Sequence, residues 1–271
     1  MDDRDRLAGY VEVWWTAVGS FTDLLDSLDP FDWALPTDLA GWDVRAVAAH
    51  VAHLESVLAS GHEETAEVGS PAHITGLAGL YTEIGVVNRR TAEPAAIVAE
   101  IRDAAGRRYR ALHDDPPTDP TALAPVTPGG LPWTWERLLR NRPLDVWMHE
   151  QDIRRAVGRP GGLDSAAAQL TADYFTEGFG YVLGKAVGAP PGTSAVLAVP
   201  GSPTVAVEVD ANGRAQRLAE PPATTTVRLT MDRETYILLA GGRRAVPPGS
   251  VQIEGDQELG ARVASRLAVT P

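Results

Sequence analysis

The sequence contains no cysteine. Disulfides, sulfur-based zinc sites and a cysteine nucleophile are therefore excluded, and any thiol chemistry needs a thiol from a bound small molecule. Lysine is almost absent as well. Lys185 stands alone beside abundant arginine and alanine, a bias that points to a high-GC bacterial genome and says nothing about physics. There is no basic excess: 24 lysines and arginines face 36 aspartates and glutamates, a net charge of −12. That balance disfavours nucleic acid and anionic membrane as partners. No apolar run approaches the roughly 18 residues a membrane span needs. The first residues, Met1-Asp2-Asp3-Arg4-Asp5-Arg6, lack the apolar core of a signal peptide. The expectation is a cytoplasmic protein with no nucleic-acid and no membrane partner.

What remains is a chain of ordinary globular composition, 271 residues long, 44% hydrophobic and 22% charged. That is enough for one large domain or two of usual size. Leu7, Val11, Trp14, Val18, Phe21, Leu25 and Leu28 recur at helical spacing, which predicts a helix over 4–28. Asp43 is a good N-cap for a second helix reaching Ser60. On it Val47, His50, Val51, Leu54 and Leu58 share a face, so His50 points inward and His53 sits at the edge of that face. Residues 62–75 read as a polar loop. A third helical region covers 76–114, with a break near Thr91, which is placed to cap a helix from Ala92. Six prolines in 115–132 mark an irregular connection. A fourth helix runs from Thr134 to Val157, and Pro143 is expected to kink it or mark its true start.

After Pro160 the pattern changes. One helix is predicted over 164–187, followed by alternating apolar segments at 194–199, 204–209 and 224–230. Asp210-Ala211-Asn212-Gly213 reads as a hairpin turn. A helix over 232–240, a strand over 251–254 and a helix over 257–267 complete the chain. The fold class is mixed: an all-α four-helix bundle over 1–160, then a smaller α+β domain over 164–271.

Asp145-Val146-Trp147-Met148-His149 carries the chemistry. A carboxylate and an imidazole four residues apart lie one above the other on a helix, the spacing at which paired side chains chelate one ion. His50, inward on another helix, is the third candidate. Three nitrogen and oxygen ligands leave a tetrahedral metal one open position, the pattern of a catalytic zinc. Bundle cores commonly host such sites. The bland alternatives are a hydrogen-bonded core histidine at position 50 and an intrahelical ion pair at 145 and 149. Asp152, three residues after His149, is placed to orient its ring or to pair with Arg45 or Arg154. His53 is expected beside the site or at the surface, and Glu150 on another face. His62, His73 and His113 are expected to be solvated.

These residues, in this order, resemble the mycothiol-dependent maleylpyruvate isomerase family. The resemblance rests on Gly41-Trp42-Asp43-Val44-Arg45 with Ala49-His50, and on Asp145–His149 continued by Glu150, Asp152 and Arg154. It extends to Leu238-Leu239 with Gly242-Arg243, and to Gly255-Asp256. It implies a DinB-like bundle and a C-terminal domain similar to sterol carrier proteins. It also implies a divalent metal, typically zinc, held by His50, Asp145 and His149, and mycothiol as the thiol. The isomerase pattern has glutamate where this chain has Asp145, so the ligand here is one methylene shorter.

The resemblance implies a metal-bound thiolate that adds to an electrophilic small molecule, whether for isomerisation or for S-transfer. Arg243 is the candidate cation for an anionic substrate, with Arg244 its rival. Two other functions stay open at this level. One is a hydrolase using metal-bound water, with Glu150 or Asp152 as base. The other is a non-catalytic protein that binds a small molecule or lipid. One fold hosts many functions, so the choice belongs to the site.

Overall fold

A computed structural model describes residues 2–269. They form two compact units that divide between Gly162 and Leu163. Among the described residues, no helix is long and apolar enough to cross a membrane.

The first unit is helical. α1 (Asp3–Asp26) starts at Asp2, whose carboxylate accepts from the Asp5 amide, and buries Leu7, Val11, Trp14, Val18, Phe21 and Leu25. α2 (Val44–Ser60) starts at Asp43, which accepts from the Ala46 amide. It stops at Gly61, whose φ of 73° is the left-handed conformation that ends helices. Thirteen of its 17 residues are buried, because α2 packs against three other helices. A helix surrounded in this way keeps only a narrow solvent edge, here Arg45, Ser56, Ala59 and Ser60. His53 is consequently fully buried, where the sequence had put it at the margin.

The third helical region is two helices. α3 (Gly76–Arg89) and α4 (Pro94–Asp114) are separated by a turn. The break falls where expected, but Glu93 and not Thr91 holds the cap position. Pro94 decides this, since a proline at the first helical position loses no hydrogen bond and has its φ already set. α5 (Trp135–Ala156) begins at Thr134, whose hydroxyl accepts from the Arg137 amide. It runs on through Pro143, so the proline does not mark its start. α1, α2, α4 and α5 form the bundle, with α1 against α5 and α4, and α2 against α4, α5 and α3. Gly85 lets α3 approach α2, because a Cβ there would collide with the His53 side chain.

The second unit is α+β. The single helix predicted over 164–187 is instead α6 (Ala166–Thr176), a short turn α7 (Phe179–Tyr181), and a π-helical turn at Val182–Ala186. The cause is tertiary. A Cβ on Gly180 would lie 3.1 Å from the Ala215 carbonyl oxygen, and one on Gly184 2.8 Å from the Ala215 amide. The segment bends to lay its glycines on the sheet. That sheet has the order β3-β2-β1-β4-β5, with β1 (Ser194–Ala198), β2 (Val205–Val209), β3 (Ala215–Arg217), β4 (Val227–Thr230) and β5 (Gln252–Gly255). Only β1 and β4 pair in parallel, in register Val196 with Arg228. The turn Asp210–Gly213 joins β2 to β3, and the Asp210 carboxylate accepts from the Asn212 and Arg214 amides. α8 (Arg233–Ala240) packs on α6, and α9 (Gln257–Ala264) on β4 and β5.

Candidate metal centre

α2 delivers His50 and α5 delivers Asp145 and His149 to one point in the first unit. Asp145 Oδ1 lies 3.8 Å from His50 Nε2 and 3.6 Å from His149 Nε2. One ligand atom from each of the three lies within 4.8 Å of the others. Ligands bound tetrahedrally at about 2.1 Å stand about 3.4 Å apart. The two Asp145 distances stand within a few tenths of an ångström of that separation and the third pair lies within 4.8 Å, so the donors can close on one transition-metal ion, and the two imidazoles and one carboxylate suit zinc among others. The histidine rings meet edge to face at 4.8 Å, and the Trp42 ring lies 5.0 Å from His50 and 6.2 Å from His149.

The protonation states suit a cation. Burial pushes the His50 imidazole down, and this outweighs the nearby Asp145 carboxylate. Burial alone would raise the Asp145 carboxyl, but the Arg142 guanidinium and the two imidazoles hold it far below the usual range. Neutral imidazole and ionised carboxylate are the forms that bind metal.

Two chains of ion pairs stand behind the donors. Asp152 Oδ2 lies 3.3 Å from His149 Nδ1, leaving Nε2 for the centre. Asp152 in turn accepts from Arg155 at 2.6 Å, and Arg155 donates to Asp38 at 2.8 Å. Asp152 thus pairs with Arg155, where the sequence suggested Arg45 or Arg154. Arg45 donates to the Ala92 carbonyl, and Arg154 to Glu150 at 2.7 Å. On the other side, Arg142 donates to Asp145 Oδ2 at 3.0 Å and to Glu55 Oε1 at 2.7 Å. Glu55 also accepts from Trp14 Nε1 at 3.1 Å, and Arg108 stands 3.7 Å away. His50 Nδ1 has no such support.

Sequence reasoning missed Arg142 and Glu55. Both left a signal. Arg142 is three residues before Asp145, on the same helix face. Glu55 is the one carboxylate in the largely apolar stretch from Val44 to Ser60, and a buried acid needs a partner.

The remaining histidines are placed as follows. His53 Nδ1 lies 3.3 Å from Glu64 Oε2, but poorly aligned, and neither ring nitrogen makes a hydrogen bond. It faces the Tyr81 ring and stands apart from the three donors. His73, expected to be solvated, is only about a fifth exposed and lies 3.2 Å from Glu83 Oε2. The same oxygen accepts from Trp42 Nε1 at 2.8 Å. His62 is exposed, and His113, also exposed, pairs with Glu12.

In the second unit, Arg243 follows α8 and donates to the Gly241 carbonyl at 2.7 Å. With Arg244, Leu238, Leu239 and Val251 it lines a cavity of about 400 Å³.

Comparison with known proteins gives two family matches. Residues 14–154 match the mycothiol maleylpyruvate isomerase N-terminal domain, and residues 169–262 the corresponding C-terminal domain. Among solved structures, a crystal structure of the mycothiol-dependent maleylpyruvate isomerase superposes with a TM-score of 0.54 at 17% identity, over 94% of this chain and 96% of that one. A histidine-to-alanine mutant of that isomerase gives 0.52 at 16% identity with the same coverage. At such identities the likeness concerns the fold. No curated protein sequence matches the chain.

Proposed function

The chain belongs to the mycothiol maleylpyruvate isomerase family, and on that premise we propose that it is a metal-dependent, mycothiol-using isomerase or S-transferase acting on an electrophilic small molecule. The observation that carries the proposal is the convergence of His50, Asp145 and His149. These three residues would hold the ion, with zinc the first candidate. When bound, the ion supplies an open position at which a thiol is deprotonated, and thiolate is the nucleophilic form.

The chain's own residues do the rest. With no cysteine in the sequence, the sulfur belongs to the cosubstrate. For an isomerase, the sulfur bonds to one carbon of a cis double bond and the electron pair moves into the conjugated acceptor. Rotation about the new single bond and expulsion of the same sulfur give the trans product. Atoms and electrons are conserved. A transferase keeps the carbon–sulfur bond or expels another group. Asp152 holds the His149 ring in one tautomer. Trp42, braced by Glu83, forms an apolar wall beside the donors. Arg243 is our candidate for an anionic group on the substrate, supported by its place with Arg244 in the lining of a cavity of the second unit.

The hydrolase alternative needs a carboxylate able to serve as base. Glu150 is committed to Arg154, and Asp152 to His149 and Arg155. This arrangement favours the thiol reading. The test is turnover of maleylpyruvate and of a panel of electrophiles with and without mycothiol. Strict thiol dependence supports the proposal. Equal hydrolysis of an ester panel without thiol overturns it.

A further inference from the structure

We infer that Arg142 is the positioning residue of the metal centre: it fixes the Asp145 carboxylate so that Oδ1 faces both histidines. The inference rests on the metal reading above and concerns a residue outside the three proposed ligands.

The geometry divides the work between the two oxygens of Asp145. Oδ2 accepts from Arg142 Nη1 at 3.0 Å. Oδ1 is left toward His50 Nε2 and His149 Nε2, at 3.8 and 3.6 Å. A carboxylate free to rotate about its terminal bond exchanges these oxygens, since that torsion is broad and two-fold. The guanidinium removes this freedom only if it is itself fixed, and it is. Its Nη2 and Nε both donate to Glu55 Oε1, at 2.7 and 3.2 Å. Glu55 is on α2, the helix that carries His50, so the clamp ties the two ligand-bearing helices together beside the site. Both Arg142 and Glu55 are fully buried, where solvent does not compete for these bonds. A planar fork that engages two carboxylates at once is a task for arginine and not for lysine.

Coulomb's law supplies a sign test. Arg142 carries a positive charge beside a ligand of a cation. If its effect were only electrostatic, removing it would strengthen metal binding. If it positions the carboxylate, removing it weakens binding.

The experiment uses the full chain, stripped of metal and reloaded with cobalt(II), in the wild type and in Arg142→Met and Arg142→Lys. Affinity is read by competition with a chromophoric chelator, geometry by the visible absorption of bound cobalt, and folding by circular dichroism. Folded Arg142→Met is expected to bind cobalt 10–100-fold more weakly, the usual loss when support behind a ligand is removed, with an altered cobalt spectrum. Arg142→Lys keeps the charge and carries the test if the methionine variant does not fold; a loss of about tenfold is expected. A folded variant with equal or tighter binding and the wild-type spectrum overturns the inference. A wild type that binds neither cobalt nor zinc overturns the metal reading itself.

Discussion

Asp152 Oδ2 lies 3.3 Å from His149 Nδ1, one turn further along α5. This contact turns the other ring nitrogen toward Asp145 and His50. Asp152→Ala should weaken metal binding about tenfold or more, while the helix stays folded. Chelator competition on the metal-loaded protein checks it. Unchanged affinity would mean that Asp152 serves only its ion pair with Arg155.

Glu55 makes the largest stability prediction. It is buried with Arg142 and within 3.7 Å of Arg108, and burial with Arg142 close by lowers the Arg108 guanidinium to about 10. Glu55→Gln removes the negative charge that both cations face. Breaking a buried ion pair in this way costs about 3–5 kcal/mol. Urea unfolding of the metal-free protein measures it. A loss under about 1 kcal/mol would show that water or relaxation already compensates the cluster.

Arg89 predicts a pH dependence. It donates to Glu64 and Glu100 at 2.6 and 2.5 Å. Burial alone would raise both carboxyls, but the bonds from Arg89, with Asn88 and close-lying His53 on Glu64 and Ser56 on Glu100, hold both below the usual range. A folded-state pKa below the unfolded value, about 4.3 for glutamate, gives stability that is present above that pH and lost as pH falls further. Both carboxylates are partly exposed, so Arg89→Met should cost about 1–2 kcal/mol at pH 7. The gap to wild type should narrow below pH 4. Unfolding curves from pH 3 to 7 decide it, and a gap constant across that range would contradict the assignment.

Gly85 predicts a packing effect. A methyl group there would collide with the His53 side chain and lie 3.2 Å from the Ala49 carbonyl oxygen. Gly85→Ala raises helix propensity, yet overpacking at such a contact costs about 1–3 kcal/mol. Thermal unfolding checks the sign. A more stable variant would show that α3 and α2 separate without penalty.

Much of this was legible in the sequence because the signals were local. Asp43 and Ser60 bound α2 since a cap and a breaking glycine act within one turn. Asp145 and His149 could be paired because both sit on one helix, and the inward face of α2 brought in His50. The signals that failed were set by distant packing. Nothing local to Gly180 or Gly184 announces the sheet that bends 164–187. Nothing near His53 announces that three helices pack around α2. Arg142 and Glu55 escaped notice because a charge looks solvated until its partner, 87 positions away, is known to be adjacent.

The central claim is that His50, Asp145 and His149 hold one divalent ion. Plasma mass spectrometry on protein purified without an affinity tag tests it most directly, with His149→Ala as the control. One equivalent of zinc or another transition metal per chain, lost in the variant with the fold intact, is the expected result. A protein that arrives metal-free and takes up no added zinc would contradict it.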